Sequence, residues 1–222
     1  DEIRSRGLGD VYKRQTDSGP YSLGSGTSKY SRAAIKAEWK SLMIAREKAK
    51  VPLVIGSCGT CGTNGMVDWM ENITIELAEE LNQNIKIAKL YCQQEKNFIK
   101  KNLQLRKIFP LNPAPMLNSQ LIEEMTNIVA LAGAEQIQEC INTGAEIILA
   151  GRTTDTAIIS ALPLMKGANP GSSWHGAKVV ECGALCSTNP TSGVVMVEFD
   201  KTGFTVEPCL LYTSDAADDK QC

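Results

Sequence analysis

The sequence predicts an α/β fold with a mainly parallel sheet and helices on both of its faces, and three observations support this prediction. Short apolar runs of strand length alternate with amphipathic segments of ten or more residues, which is the pattern of βαβ units. Glycine-rich loops join apolar runs to the amphipathic segments that follow them. The 222 residues, of which 43% are hydrophobic, are enough to build a buried core.

The first half of the chain contains two predicted strands and three predicted helices. A Gly/Ser-rich loop leads into a helix whose apolar residues recur at i, i+4, i+7 and i+8. Two apolar runs then predict buried strands, with a helix of similar spacing between them and a lysine-rich helix after them. In chain order these are a loop at 19–32, a helix around 35–43, a strand at 51–55, a helix around 66–81, a strand at 85–91 and a helix near 95–107.

The second half begins with a rigid, extended connection, because each of three closely spaced prolines biases the residue before it away from helix. Ser119 is then a predicted N-cap for a helix that carries apolar residues as far as Val129. A third strand and a closing antiparallel hairpin follow, separated by helices. The segments are the prolines at 110, 113 and 115, a helix near 134–142, the strand at 146–151, a helix at 152–165 and the hairpin at 193–208, which turns near 201–203.

The two ends of the chain fit none of these elements. Residues 1–15 (DEIRSRGLGDVYKRQ) and 209–222 (CLLYTSDAADDKQC) lack sustained periodicity and resemble translated sequencing adapters. Such segments are excluded from fold reasoning. The sequence therefore predicts one α/β domain at 16–208, and we expect this domain to be truncated.

Charge and hydropathy exclude several classes of partner. The net charge of −2 provides no basic footprint for nucleic acid, and no apolar run approaches the length of a membrane span. Eight cysteines are scattered through a long chain of ordinary composition, which favours free thiols and a cytoplasmic location.

Three glycine-rich segments, 24–26, 56–65 and 151–155, predict a ligand site. Two of them follow a predicted strand, and ligands of parallel sheets bind at the carboxyl ends of the strands. Helix N-termini at that edge attract anions, and glycine allows the backbone to approach a ligand closely. The alternative is that strand-to-helix turns need glycine in any case. Thr60 and Thr63 would add hydroxyls, and the predicted ligand-binding residues are Gly24, Ser25, Gly26, Gly56, Ser57, Gly59, Gly62, Arg152 and Thr153.

Cys58 and Cys61 form a CxxC pair inside the second loop. Zinc normally needs four ligands, and neither a second CxxC nor a second histidine is available, so no metal site is predicted. Redox chemistry is a second interpretation, because a helix N-terminus lowers the pKa of a thiol. The third is that the loop simply requires small residues.

The segment 172–193 supplies candidates for acid/base chemistry. His175, Lys178, Glu181 and Cys182 are spaced to share one face of a helix. His175 is the only histidine of the chain, and its alternative role is that of a surface or capping imidazole. Together with Asp155, the predicted catalytic residues are His175 and Glu181.

Four motifs occur in the order seen in one family. TDSGPYSLGSG, VPLVIGSCGTCG, AGRTTDTAIISALPLMKG and WHGAKVVECGALCSTNP make residues 16–208 resemble the N-terminal half of the acyclic terpene utilisation (AtuA-like) family, without its first strand. The glycines, Arg152, Asp155, Glu181 and Cys182 match the family pattern. Family members have small residues where this chain has Cys58 and Cys61, which argues against an essential dithiol.

The resemblance implies a role in the catabolism of acyclic terpenes such as citronellol and geraniol, whose intermediates are acids and acyl-CoA thioesters. We expect an enzyme that acts on a small carboxylate or an acyl-CoA by a lyase-like or hydratase-like step, with CoA as part of the substrate in the second case. A hydrolase is disfavoured because no GxSxG elbow is present. The alternative is a non-catalytic ligand-binding subunit with a partner subunit. A homo-oligomer is also expected.

Overall fold

The computed structural model describes residues 20–111, 113–114, 116–182 and 194–209. It confirms the α/β class. In these ranges no helix is both long enough and apolar enough to cross a bilayer. The elements in chain order are α1 Pro20–Ser25, α2 Arg32–Ala49, β1 Leu53–Gly56, α3 Asn64–Glu80, β2 Ile87–Leu90, α4 Lys96–Gln104, α5 Ser119–Glu124, α6 Ala134–Asn142, β3 Ile147–Ala150, α7 Asp155–Met165, α8 Pro170–Cys182, β4 Val194–Phe199 and β5 Phe204–Cys209.

The three strands β1, β3 and β2 form a parallel sheet in that order. The central strand β3 is buried along its whole length, as its uninterrupted apolar sequence requires. Gly56 and Leu90 both pair with Ala150, so the three strands end level with one another. The loops that follow them therefore leave the sheet from a single edge, which we call the carboxyl edge.

Helices cover both faces of the sheet, as predicted. On one face α2 and α3 bury Trp39, Met43 and Met70 against β1 and β3. The indole Nε1 of Trp39 donates to the Thr74 hydroxyl at 2.9 Å, so the largest side chain of this layer leaves no unpaired polar atom. On the other face α6 and α7 pack against Ala150 of β3, and the buried helix residues of this layer are mostly small: Ala134, Ile137, Ala157 and Ala161.

Two predicted elements differ from the structure. Residues 20–25 of the expected loop form the short helix α1. The helix predicted to begin at Ser119 and reach Val129 ends at Glu124, and its N-cap is Asn118, whose side chain accepts from the Leu121 amide at 2.8 Å. The apolar residues after Glu124 instead form an extended segment at 128–132, because the carboxyl edge offers backbone partners there.

The predicted hairpin is confirmed. β4 and β5 pair antiparallel, and the Asp200 carboxylate accepts hydrogen bonds from the Thr202 and Gly203 amides in the turn between them. Its apolar face packs on α8, where Gly176 leaves room for Phe199 and Phe204. Cys209, the first residue of the predicted terminal segment 209–222, is the last residue of β5. The rest of that segment and the predicted segment 1–15 lie outside the described residues.

The opposite, amino edge of the sheet is held by an ion pair. The Arg46 side chain is only 4% exposed, and its guanidinium pairs with the carboxylates of Glu47 and Glu146. Glu146, which precedes β3, also accepts the backbone N–H of Lys86 before β2 at 3.0 Å. The hydrogen bond from the Lys86 amide and, with a smaller effect, the hydrogen bond from Arg46 hold the pKa of the Glu146 carboxyl below its usual value.

We predict that Glu146→Gln lowers the free energy of unfolding at pH 7 by about 1–2 kcal/mol. The loss is smaller than for a fully buried pair because solvent reaches the Glu146 carboxylate and Glu47 still pairs with Arg46. A depressed carboxyl pKa contributes stability above the unfolded-state pKa, and this contribution disappears as the pH falls through the folded-state pKa. The mutational cost should therefore shrink toward pH 3 in urea titrations. An equal cost for Glu79→Gln, an exposed carboxylate of α3, would contradict the ion-pair account.

Candidate functional site at the carboxyl edge

The segment 128–132 lies across the carboxyl edge and ties two strand exits together. The Ala130 amide donates to the Cys92 carbonyl oxygen after β2 at 2.9 Å. The Ala132 amide donates to the Arg152 carbonyl oxygen after β3 at 2.8 Å, and the Thr154 amide donates back to Ala132 at 3.2 Å. The backbone around Arg152 is thus fixed from two sides.

The loop after β1 packs directly on the loop after β3. The amides of Ser57 and Cys58 both donate to the carbonyl oxygen of Ala150, at 3.2 and 3.0 Å. A Cβ atom added to Gly62 would lie 2.6 Å from the carbonyl carbon of Gly151, and one added to Gly151 would lie 2.7 Å from the carbonyl oxygen of Gly62. Gly62 also has φ +68°. These two glycines therefore have a structural role, because they allow the two loops to approach each other. This agrees with the alternative interpretation, in which the loops need glycine for their own structure.

Thr60 connects this pair of loops to the N-terminal segment. It is buried and has φ +72°, which is uncommon for a β-branched residue. Its carbonyl oxygen accepts from the Arg152 guanidinium Nη1 at 3.3 Å. Its hydroxyl accepts from the Lys29 amide at 3.1 Å. One strained residue thus joins the loops after β1 and β3 to Lys29, three residues after Gly26.

The segment Gly24-Ser25-Gly26 reaches the edge in a different way from that predicted. Gly24 and Ser25 end α1, and α2 begins only at Arg32, so this segment does not run directly into a helix. The exposed Ser25 hydroxyl forms a hydrogen bond with the Thr27 hydroxyl, with 2.7 Å between the two oxygens. The segment is anchored by the Asn127 side-chain amide, which donates to the Leu23 carbonyl oxygen at 2.7 Å.

Asn127 belongs to an amide network for which no sequence motif provides a signal. Gln93 donates from Nε2 to Asn127 Oδ1 at 3.2 Å, and its Oε1 accepts from the Asn64 amide at the start of α3 at 3.2 Å. The Asn64 side chain in turn accepts from the Gln93 amide. The three side chains fix the N-terminus of α3 relative to the segment that contains Leu23.

Two hydroxyls at the carboxyl edge are buried without a hydrogen-bond partner among the described residues. Ser57 is 3% exposed and has φ +91°, and Thr153 is fully buried. A Cβ added to Gly56 would lie 2.2 Å from Thr153 Oγ1, so this hydroxyl sits against the residue that precedes Ser57. Each such group costs about 1–3 kcal/mol, which marks it as a candidate for ligand contact.

The CxxC pair is part of the core. Cys58 and Cys61 are free thiols, and both are buried. Burial raises the pKa of Cys58 far above that of an ordinary thiol, which is the opposite of what a reactive dithiol needs. Cys61 Sγ lies 3.5 Å from the Thr63 hydroxyl. The part of the chain that the structure describes contains no cluster of three or more His, Cys, Asp or Glu side chains suited to a metal ion.

The predicted acid/base residues are spread over two helices. Asp155 is the first residue of α7 and half-buried, three positions after Arg152. Glu181 lies in the last turn of α8 and pairs with Lys178 at 2.5 Å, as the helical spacing predicts. His175 is exposed and meets Phe204 of the hairpin edge-on at 5.2 Å, and no hydrogen bond joins it to Arg152. The position of His175 favours the alternative of a surface imidazole. For Cys182 the structure describes only the backbone.

The fold and the edge define an α/β protein whose candidate ligand site lies where parallel strands end. The chain belongs to the family described as acyclic terpene utilisation family protein AtuA, whose sequence profile matches residues 22–206. This confirms the resemblance. Neither the curated proteins nor the solved structures include a match to the chain.

The contact between Gly62 and Gly151 predicts a large difference between two nearby alanine substitutions. Gly62→Ala should lower the free energy of unfolding by about 2–5 kcal/mol, because it adds a Cβ both at positive φ and against backbone. Gly65→Ala, on open surface in the first turn of α3, should raise it by about 0.5–1 kcal/mol. Urea unfolding of both variants measures the difference. Equal effects would show that the loops do not pack as described.

Proposed function

We propose that the chain acts in the catabolism of acyclic terpenes or related acids, and that it binds a small carboxylate or an acyl-CoA at the carboxyl edge. One observation carries the proposal. The half-buried guanidinium of Arg152 has no carboxylate partner among the described residues, and the unpartnered hydroxyls of Ser57 and Thr153 lie in the same two loops.

Arg152 is suited to an anionic ligand for two reasons. Guanidinium carries five N–H donors arranged for two-pronged contact with a carboxylate or phosphate, and the Thr60 carbonyl oxygen is a single neutral acceptor. Partial burial also weakens the hydration of the cation, so an anion brought to it gains more than it would at an exposed arginine. The fixed backbone at Ala132 and Thr154 holds this cation at the edge.

Two helix N-termini lie at the carboxyl edge. α3, with 17 residues, and α7, with 11, both begin after strands that end at the carboxyl edge. Their N-caps, Thr63 and Thr154, make no side-chain capping hydrogen bond. The partial positive charge at the start of α3 therefore adds to the charge of Arg152, whereas at the start of α7 the Asp155 carboxylate offsets it.

The reaction we favour is a lyase-like or hydratase-like step that needs proton transfer. Asp155 is the first candidate for the acid/base group, because it opens α7 three residues after Arg152, and Glu181 is the second. CoA would enter as part of the substrate. We expect the protein to act as a homo-oligomer in the cytoplasm.

A non-catalytic binding subunit is the second candidate function. It is favoured by the position of His175, which is exposed, packs edge-on against Phe204 of the hairpin and makes no hydrogen bond to Arg152. The two functions separate in a turnover assay with terpenoid acids and their thioesters. Turnover by this protein alone supports an enzyme, whereas turnover only with a partner subunit supports the second function.

Arg152→Ala should raise the dissociation constant for citronellate or acetyl-CoA at least about tenfold, because a charge-assisted contact is worth 1.5–3 kcal/mol. Isothermal titration calorimetry measures the change. Lys101→Ala, which removes an exposed cation without an ion pair in the described part of the chain, is the control and should change the constant less than about twofold. An equal effect of both substitutions would contradict a site at Arg152.

Thr153→Val should separate binding from stability. Removing an unpartnered buried hydroxyl should leave the free energy of unfolding unchanged or raise it by up to about 1 kcal/mol, while ligand affinity falls about fivefold to tenfold. Thr74→Val is the matched control, because the Thr74 hydroxyl is equally buried but bonded to both Trp39 and the Met70 carbonyl oxygen. It should destabilise the fold and leave affinity unchanged. Lower stability of Thr153→Val with unaltered affinity would assign that hydroxyl to the fold alone.

A further inference from the structure

Exposed apolar side chains are concentrated in one region of the chain, the helix α4 and the segment that follows it. Phe98 and Leu105 are 57% and 55% exposed, and Phe109 and Leu111 are 77% and 87% exposed. α4 itself contains no buried residue. Large apolar side chains that lie close together in the chain and remain in contact with water mark a surface that binds a partner.

The same region is locally cationic. Residues 96–111 contain five basic side chains and no acidic one, although the whole chain has a net charge of −2. Among the described residues Arg106 and Lys107 form no ion pair, so their charges face solvent. The five basic residues are Lys96, Lys100, Lys101, Arg106 and Lys107.

The two sides of α4 have different surroundings. Lys96 and Lys100, one turn apart, hold α4 against α5, because Lys96 donates to the Glu123 carbonyl oxygen at 2.7 Å and Lys100 pairs with the Glu123 carboxylate. Phe98 and Leu105 are seven positions apart and therefore share the opposite side of the helix. The apolar side of α4 thus faces away from the rest of the described chain.

A fixed turn places the two free cations beside this apolar side. The Lys107 amide donates to the Asn102 carbonyl oxygen at 2.9 Å, and Arg106 has φ +55°, as in a common helix-ending motif. The chain then continues without a helix or strand through Phe109. Cations and large apolar side chains consequently alternate over residues 105–111.

We propose that this region docks on the surface of a membrane that contains anionic phospholipids. The apolar side chains would enter the boundary between head groups and acyl chains, and the cations would stay at the level of the lipid phosphates. Attachment of this kind needs no membrane-spanning helix, and it does not depend on the ligand of the carboxyl edge. The docking residues, which we call the basic apolar surface, are Phe98, Leu105, Arg106, Lys107, Phe109 and Leu111.

A lipid surface fits this mixture of side chains better than the other partners do. In a membrane the phosphates and the acyl chains lie at adjacent depths, so neighbouring cations and apolar groups are both satisfied. The buried core of a protein interface is depleted of charged residues, and lysine is rare there. Nucleic acid would attract the cations but would leave Leu105 and Leu111 in water.

The test is co-sedimentation of the full chain with two kinds of vesicle, pure phosphatidylcholine and phosphatidylcholine mixed with phosphatidylglycerol. The chain should bind the mixed vesicles at least about tenfold more tightly, because each cation near an anionic surface contributes about fivefold. High salt should remove most of this difference. Equal binding to both kinds of vesicle would overturn the proposal.

Two double variants separate the contribution of charge from that of insertion. Arg106→Gln with Lys107→Gln should weaken binding to the mixed vesicles at least about tenfold. Phe109→Ala with Leu111→Ala should weaken it by a similar factor, because less apolar area would leave water on binding. All four side chains are exposed, so we expect the free energy of unfolding measured in urea to stay unchanged.

Each double variant has a matched control elsewhere on the chain. Lys48→Gln with Lys166→Gln changes the net charge equally, at exposed lysines that form no ion pair in the described part of the chain. Tyr21→Ala with Leu131→Ala removes apolar side chains that are 80% and 60% exposed. Both controls should bind the mixed vesicles within about twofold of the unaltered chain.

Three further outcomes would overturn the proposal. One is a loss of binding in the controls that equals the loss in the test variants. A second is a failure to bind vesicles together with a dimer that Phe109→Ala and Leu111→Ala dissociate in analytical ultracentrifugation, which would make this surface an interface between copies of the chain. The third is a monomer that binds no vesicles. The titrations at Arg152 contain no lipid, so none of these outcomes alters the test of the proposed function.

Discussion

Gly62 and Gly151 touch backbone to backbone where the loops after β1 and β3 leave the sheet. The contact is possible only because neither residue has a Cβ, and it brings the two loops closer than side chains would allow. Since β1 and β3 are paired in register up to Gly56 and Ala150, the sheet sets the height of both loops. The glycines then set the distance between them.

The consequences of this approach extend to each group of the candidate site. With the loops in contact, the Thr60 carbonyl oxygen is within reach of the Arg152 guanidinium, and the Thr153 hydroxyl is pressed against Gly56. The loop conformation has a cost, because Ser57 and Thr60 adopt positive φ and the hydroxyls of Ser57 and Thr153 are buried without a partner among the described residues. Unfavourable terms of this kind persist where the surrounding structure holds them, and a ligand that supplies the absent partners would recover part of the cost. Hydrogen bonds from a ligand to these hydroxyls would therefore contribute to its binding free energy at the candidate site.

The sequence was sufficient to predict that strands and helices alternate along the chain, but it was not sufficient to predict the contacts at the carboxyl edge. The all-apolar run of β3 and the spacing of Trp39 and Met43 on α2 are local signals, and both predictions are confirmed. The helix expected through Val129 was wrong because long-range backbone partners at Cys92 and Arg152 compete with helix, and periodicity does not report them. Sequence periodicity does not report the amide network of Gln93 and Asn127 either, because these two residues are 34 positions apart in the chain.

The lone histidine shows that residue type and position are separate kinds of information about a site. The chemistry of imidazole makes His175 a candidate acid/base group. In the structure it lies on α8, and its ring contacts Phe204 of the hairpin. Arg152 was selected for its place after a predicted strand, and the parallel register brings it to the expected edge. Topology in an α/β fold is thus the more direct guide to a candidate ligand site than the reactivity of single side chains, because the carboxyl ends of parallel strands converge whatever residues follow them.

A crystal structure of the full chain with 6-bromohexanoate tests the central claim most directly, because anomalous scattering locates the bromine independently of the rest of the ligand. The account predicts the carboxylate about 2.9 Å from the Arg152 guanidinium, at the carboxyl edge of the sheet. An acid bound elsewhere, with ordered water satisfying the hydroxyls of Ser57 and Thr153, would contradict it.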